Sequence, residues 1–330
     1  MFLVSLIAVL SLVVVNLTFD LSVSFTAFFA LIIGLFLTTK ILDKPSVISI
    51  ILRSIPIFIL LFAIQGFFYL VKAELNKRKN ETTFTKEEKV VKTTLQKGND
   101  TIALYSSNRK WNDNYGNQYT GVLQVRENDY IRLKDYLKTY QPKTKVNFWG
   151  VLYDYIDRKD IASLDLVIAV FSDIQKEKKL NQMQFAEMLV TCIQDIPYSL
   201  VFEKECQPAH RYKDSFRQVL ENCPECCIGN KRFGIQNPVS FIKNLKGDCD
   251  TRTVLIYSLL KYFGYDVAIV NSTFYKHSVI GLNIPASGDY KILNGKKYML
   301  WETTAKYYTI GKLPPNFNNV AHWNIVLTSK

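Results

Sequence analysis

The chain has 330 residues, 48% of them hydrophobic, and a formal net charge of +12 at pH 7. This is more apolar material than one average soluble domain needs. Residues 1–71 hold only Lys40, Lys44, Arg53, Asp20 and Asp43 as charged groups, so nearly all of the net charge falls on the rest. Such a balance attracts acidic surfaces, although diffuse lysine reads first as solvated surface. No zinc-finger spacing, RNP-like aromatic motif or basic helix points to nucleic acid, and none is expected as a partner.

Three apolar segments come first, at residues 1–19, 21–38 and 47–71, each about long enough to cross a bilayer as a helix. The third is interrupted by Arg53 and Pro56 but keeps the run IPIFILLFAIQGFFYLV, and Arg53 can snorkel to the interface. A cleaved signal peptide fits the first segment poorly, since no basic stretch precedes it and no small-residue cleavage site follows. The expectation is three transmembrane helices in contact with lipid. Lys40 and Lys44 in the second loop put that loop in the cytoplasm and the C-terminal part outside. Lys72, Lys77, Arg78 and Lys79 pull the other way, but long domains translocate largely regardless of charge, so the outward orientation is preferred.

Residues 72–98 are polar, of mixed charge, and read as a linker or exposed helix. Residues 99–150 form a small strand-rich region, where TIALYSS and GVLQV alternate between Gly- and Asn-rich turns. Trp111, Tyr115 and Tyr119 there read as packing of a small sheet rather than as a binding platform. Residues 128–195 look helical: LDLVIAVFSDIQKEKK and MQFAEMLVTCIQDIPY each carry one apolar face, with Cys192 a buried small hydrophobe.

A cysteine-dense stretch follows, holding Cys206, His210, Cys223, Cys226 and Cys227. Four cysteines can form two disulfides in an oxidising compartment. The spacing C-x3-H then C-x2-C also suits zinc in a reducing one, and unpaired thiols remain the third reading.

The stretch KGDCDTRTVLIYSLLKYFGYD carries a helix pattern behind Cys249, with Val254, Leu255, Tyr257, Ser258, Leu259, Leu260 and Phe263 on the buried stripe and Gly264 as its stop. Cys249 then sits in the first turn, where free N–H groups favour a thiolate. Strands follow: YDVAIVNS, HSVIGLNI, and YKIL with KKYMLWETT around the hairpin signal Asn294-Gly295, then WNIVLTS. Helices followed by an antiparallel sheet make an α+β arrangement.

A nucleophilic cysteine needs a base and a group that orients the base. Of the three histidines, His277 alone opens a strand directly after the Cys249 helix and its following strand; His210 and His322 lie in loops. Glu302 ends KKYMLWE on the face of Tyr298 and Leu300, in a position to meet the Nδ1 side of His277.

GDCDTRTVLIYSLLKYFGYDVAIV, KHSVIGLNI and KKYMLWETTAKYYTIGKLP, in that order, resemble the core of the transglutaminase-like superfamily, and VTCIQDIPYSLVFE resembles the helix before the nucleophile in prokaryotic members. The likeness covers roughly residues 160–315. It implies a papain-like core, a helical lobe plus an antiparallel sheet, spanning residues 151–330 behind the membrane helices. It also implies Cys249 as nucleophile, His277 as base and Glu302, where many members have aspartate, as the orienting acid. The likeness does not extend to the apolar segments; with them, the expected setting is a bacterial cytoplasmic membrane with the catalytic domain outside.

The chemistry would be thiol acyl transfer on an amide of a protein or peptide, with no metal or cofactor required. The Cys249 N–H would be one oxyanion donor and Gln194 or an indole N–H the second. Water as acceptor gives a peptidase or amidase, and a lysine amine a crosslinking transglutaminase. Hydrolysis is preferred because an amine needs a dedicated channel. A non-catalytic membrane-anchored binding scaffold is the alternative of a different class. A transporter is disfavoured because Arg53 is the sole buried-charge candidate in the apolar segments.

Overall fold

The computed structural model describes Gly66 and residues 89–330 apart from Asn99, Lys143 and Lys145. The chain divides into two units, Met1–Glu81 and Thr82–Lys330. The three apolar segments lie outside the described residues, and among the described residues no helix is long and apolar enough to cross a membrane.

The second unit starts with an antiparallel sheet of β1 (Val91–Lys97), β2 (Asp100–Asn112) and β3 (Gln118–Arg126), with β2 in the centre. β1 falls within the stretch expected to be linker or helix. Val91 to Gln96 are all exposed, so this edge strand lacks the alternation that would have revealed it. Trp111 and Tyr119, at 3% and 4% exposure, stack with ring centroids 5.7 Å apart, whereas Tyr115 stays exposed. Leu123 and Val125 join the same hydrophobic core as the later helices and strands.

The helices follow: α1 (Glu127–Leu133), α2 (Tyr136–Thr139), α3 (Phe148–Asp160), α4 (Asp165–Lys178) and α5 (Gln182–Gln194). A reciprocal capping box starts α5, Asn181 and Gln184 each accepting the other's backbone N–H. Phe185 to Gln194 are buried on every side, so α5 is a central helix rather than the one-faced helix expected. Cys192 is fully buried within it. A short parallel pair, β4 (Leu200–Val201) and β5 (Cys227–Ile228), brackets a loop carrying α6 (Asp214–Asn222).

Next come α7 (Pro238–Asn244) and α8 (Cys249–Tyr262). α8 is also buried nearly all round, from Thr251 to Leu260. Phe263 is its C-cap, and Gly264 follows at φ +83°, a left-handed step that glycine makes without steric cost.

The closing sheet is antiparallel, with β6 (Val267–Ser272), β7 (His277–Leu282), β8 (Tyr290–Leu293), β9 (Lys296–Trp301) and β10 (Asn324–Thr328) in the order β10-β6-β7-β9-β8. Asn294 and Gly295, both at positive φ, close the β8–β9 hairpin. One sheet face, with Ile269, Ile280, Leu282 and Trp301, joins the core that holds α8. The other, with Val270, Val279, Tyr298 and Leu300, is covered by Leu313 and Trp323. The fold is α+β with antiparallel sheets.

Candidate active site

Cys249 is the first residue of α8. Asp248 is the N-cap, its carboxylate accepting from the Thr251 N–H. Gly247 precedes it because a Cβ there would lie 2.7 Å from the Phe241 ring and 2.9 Å from the Thr251 methyl. Inside α8, Arg252 is wholly buried and donates to the carbonyls of Gly247 (3.0 Å), Ile193 (2.9 Å) and Pro197 (2.6 Å). One guanidinium thus ties the turn before the nucleophile to the end of α5 and the segment after it. Sequence reasoning passed over this residue, although an arginine between threonines at the head of an apolar helix was its signal.

His277 opens β7 and lies close enough to Cys249 for each group to shift the other's pKa. Because β7 pairs with β9 through Ile280 opposite Trp301, Glu302, the residue just past the end of β9, comes level with Val279 on the face His277 uses. Glu302 Oε2 lies 2.8 Å from His277 Nε2. It is therefore Nε2, not the expected Nδ1 side, that meets the acid. With Nε2–H donated to the carboxylate, Nδ1 is left with its lone pair to accept the thiol proton.

Glu302 itself is 1% exposed. Its second oxygen accepts from the Thr303 N–H (2.9 Å), the Thr304 N–H (2.8 Å) and the Thr304 hydroxyl (2.6 Å). Gln194 donates to the Glu302 carbonyl at 2.6 Å and to the Tyr308 carbonyl at 3.0 Å. That amide holds the acid's backbone and has no N–H left for an oxyanion. The indoles of Trp111, Trp301 and Trp323 donate to the carbonyls of Met188, Tyr308 and Phe317. These four groups are committed elsewhere. Thr303, Thr304 and the role of Gln194 were missed, because nothing in the spacing of a strand end signals which hydroxyls fold back on it.

The electrostatics correct a second expectation. Burial pushes the Cys249 thiol up, Asp250 and Asp248 add to that push, and His277 works against it. The helix N-terminus does not by itself make a standing thiolate here. Burial opposes a charge on the His277 imidazole, but the Cys249 sulfur and the Glu302 carboxylate outweigh it and raise its pKa well above the ordinary value. Burial likewise opposes the Glu302 charge, yet His277 and Thr304 lower its pKa. One proton is thus shared: a neutral His277 leaves it on sulfur, and a formed thiolate holds it on the imidazole.

Two further aromatic groups flank the cluster. The Ser199 N–H donates to the Gly247 carbonyl at 3.3 Å, which lays the segment carrying Tyr198 along the turn before Cys249. The Tyr198 ring lies over the Arg252 guanidinium at 5.7 Å, and burial with the Cys249 and Asp248 charges keeps its phenol protonated. Phe317 stacks on His277 with centroids 4.8 Å apart and fixes the imidazole plane.

The cysteine-dense stretch takes one of the readings left open for it. Cys206 pairs with Cys227 and Cys223 with Cys226 in disulfides, which leaves no thiolate there for zinc. Among the described residues no group of three or more His, Cys, Asp or Glu is placed to hold a metal ion. His210 lies exposed in a short 3-10 turn, His322 stacks on Phe274, and neither belongs to the Cys249 cluster. Comparison with family models, with curated proteins and with solved structures returns no match.

Proposed function

We propose that the chain is a membrane-anchored thiol acyl-transfer enzyme of the transglutaminase-like, papain-like kind that hydrolyses amide bonds of protein or peptide substrates. The observation that carries this reading is the 2.8 Å contact between His277 Nε2 and the buried carboxylate of Glu302, on an imidazole that also interacts with the buried Cys249 thiol. A structural histidine rarely has both a buried carboxylate and a helix-terminal thiol as its electrostatic partners.

In this mechanism His277 Nδ1 takes the Cys249 proton as sulfur attacks the amide carbonyl. The Cys249 N–H at the helix N-terminus donates to the oxyanion, and the Tyr198 O–H supplies the second hydrogen bond. His277 then protonates the leaving amine, leaving an acyl thioester on Cys249. The same nitrogen deprotonates water to release the acid. Glu302 stays ionised throughout and holds the imidazole in one tautomer. The three apolar segments anchor the enzyme, and the disulfides of the Cys206–Cys227 stretch suit an extracytoplasmic catalytic domain.

The test is to incubate the purified chain with a peptide mixture and follow new amino termini by mass spectrometry. Cleavage that disappears in Cys249→Ala supports the proposal. Efficient incorporation of a labelled primary amine in place of hydrolysis would shift the reading to crosslinking, and identical peptide profiles for both proteins would overturn it.

A further inference from the structure

A second site lies in a cleft of about 300 Å³, solvent at its mouth included, between the α1–α2 corner and the loop that leaves β5. Lys134, Lys138, Lys231 and Arg232 line it, with Asp135 as the one carboxylate. Asp135 is half-exposed and already engaged, 2.9 Å from Lys138 Nζ. The neighbouring amides are engaged too, Gln236 donating to the Lys246 carbonyl and Asn237 to Asp160.

Lys231 is the anomalous member. It is half-buried, and its ammonium has no hydrogen-bond or ion-pair partner among the described residues. Burial pushes its pKa down, Lys138, Lys243 and Lys134 push the same way, and Asp135 alone opposes them. A half-buried cation facing three others is unfavourable unless an anion joins it. Lys134 and Lys138 are exposed, but the loop that carries Lys231 and Arg232 is fixed. The Asn230 N–H donates to the Lys204 carbonyl at 3.1 Å and the Lys231 N–H to the Phe202 carbonyl at 3.0 Å, and the Cys206–Cys227 disulfide ties down the base of the loop. Arg232 is fixed by its donation to the Lys138 carbonyl and lies over the Phe233 ring at 4.8 Å.

We propose that this cleft binds a phosphate group, carried by a soluble phosphate or by a phospholipid headgroup. Four cations against one carboxylate call for a multiply charged oxyanion, and a fixed guanidinium beside an ammonium suits tetrahedral oxygens. The proposal is independent of the acyl-transfer reading, since none of these side chains touches Cys249, His277 or Glu302.

The experiment uses the full chain in a neutral detergent at fixed ionic strength. It is titrated calorimetrically with inorganic phosphate in one arm and with a short-chain phosphatidylglycerol in the other. Saturable binding of either probe at one per chain is expected, and the arm that binds identifies the source. Lys231→Met and Arg232→Gln should each weaken it about tenfold or more, while exposed Lys176→Met should leave it unchanged. Should Lys231→Met fail to fold, Lys134→Gln, on an exposed side chain, tests the same charge. No saturable binding of either probe, or equal weakening by Lys176→Met, overturns the proposal.

Discussion

The Cys249–His277–Glu302 cluster and the loop from Cys206 to Ile228 are fixed by opposite means. The cluster is held by the α8–sheet core and by buried hydrogen bonds: four on the Glu302 carboxylate and three from Arg252. The loop has little core of its own, with Leu220 and Cys226 among its few buried side chains, and is closed by two disulfides. Non-covalent fixing places each atom to within a hydrogen-bond length, which acyl transfer needs. Covalent fixing merely limits the volume a segment explores, which suffices for a surface element. The two meet at one seam, where β4 pairs with β5 and the next residues back are Ser199 and Tyr198.

The sharpest way to break this contrast is to remove the nucleophile. Cys249→Ala deletes one buried sulfur without touching a hydrogen bond that holds the cluster. Hydrolysis should fall by at least about 10⁴-fold while the thermal midpoint stays close to that of the parent. A variant that loses midpoint and activity together would mean Cys249 is a packing residue. Glu302→Gln comes next. It leaves the shape, and its carbonyl oxygen can keep the Thr303 and Thr304 donors, but it offers His277 a neutral amide in place of a carboxylate, so kcat should drop about 10²- to 10⁴-fold. The acid limb of the pH–rate profile should move as well, because the carboxylate no longer raises the imidazole pKa. An unmoved limb would remove Glu302 from the reaction.

Tyr198→Phe probes the seam. Removing one oxyanion donor should cost about 10²-fold in kcat with little change in KM. A change confined to KM would place Tyr198 in substrate binding instead.

Much of the cluster was legible because its signals are local. Gly247-Asp248-Cys249 ahead of an apolar run marks a helix start, Asn294-Gly295 marks a hairpin, and the order of His277 and Glu302 follows from strand alternation. What sequence could not show was environment. A helix N-terminus argues for a thiolate, but burial and the charges of Asp250 and Asp248 were invisible until the chain was folded, and together they reverse the sign. The choice of Nε2 over Nδ1 depends on the side-chain orientation of His277, which strand alternation does not specify. The disulfide partners depend on which cysteines a short parallel pair brings together, and β1 was hidden by its solvent-facing residues.

The loop side of the contrast is tested by Cys206→Ser with Cys227→Ser. Freeing a loop of sequence separation 21 should cost about 3 kcal/mol of local stability. Cleavage by trypsin at Lys204, Arg211, Lys213 or Arg217 should accelerate, with kcat reduced only severalfold through the β4–β5 seam. Loss of all activity with the sheet core intact would show that the loop fixes the site as firmly as the hydrogen bonds do.

The smallest effect is the most diagnostic of how buried charge is handled at the helix start. Burial and the Asp250 charge push the Asp248 carboxyl up to about 8, against about 4 in an unfolded chain. Between those pH values the unfolded state has released a proton that the folded state keeps, so this group's contribution to stability falls as pH rises and levels off above the upper value. Asp248→Asn keeps an oxygen to cap the Thr251 N–H but cannot ionise. Its thermal midpoint relative to the parent should therefore climb from pH 4 to pH 8. Above pH 8, where the parent's Asp248 is charged and holds the Cys249 thiol up, the variant should be alkylated faster by iodoacetamide. A difference in midpoint that is flat across this range would mean that Asp248 is already ionised at neutral pH, its charge joining burial and Asp250 in raising the Cys249 thiol there.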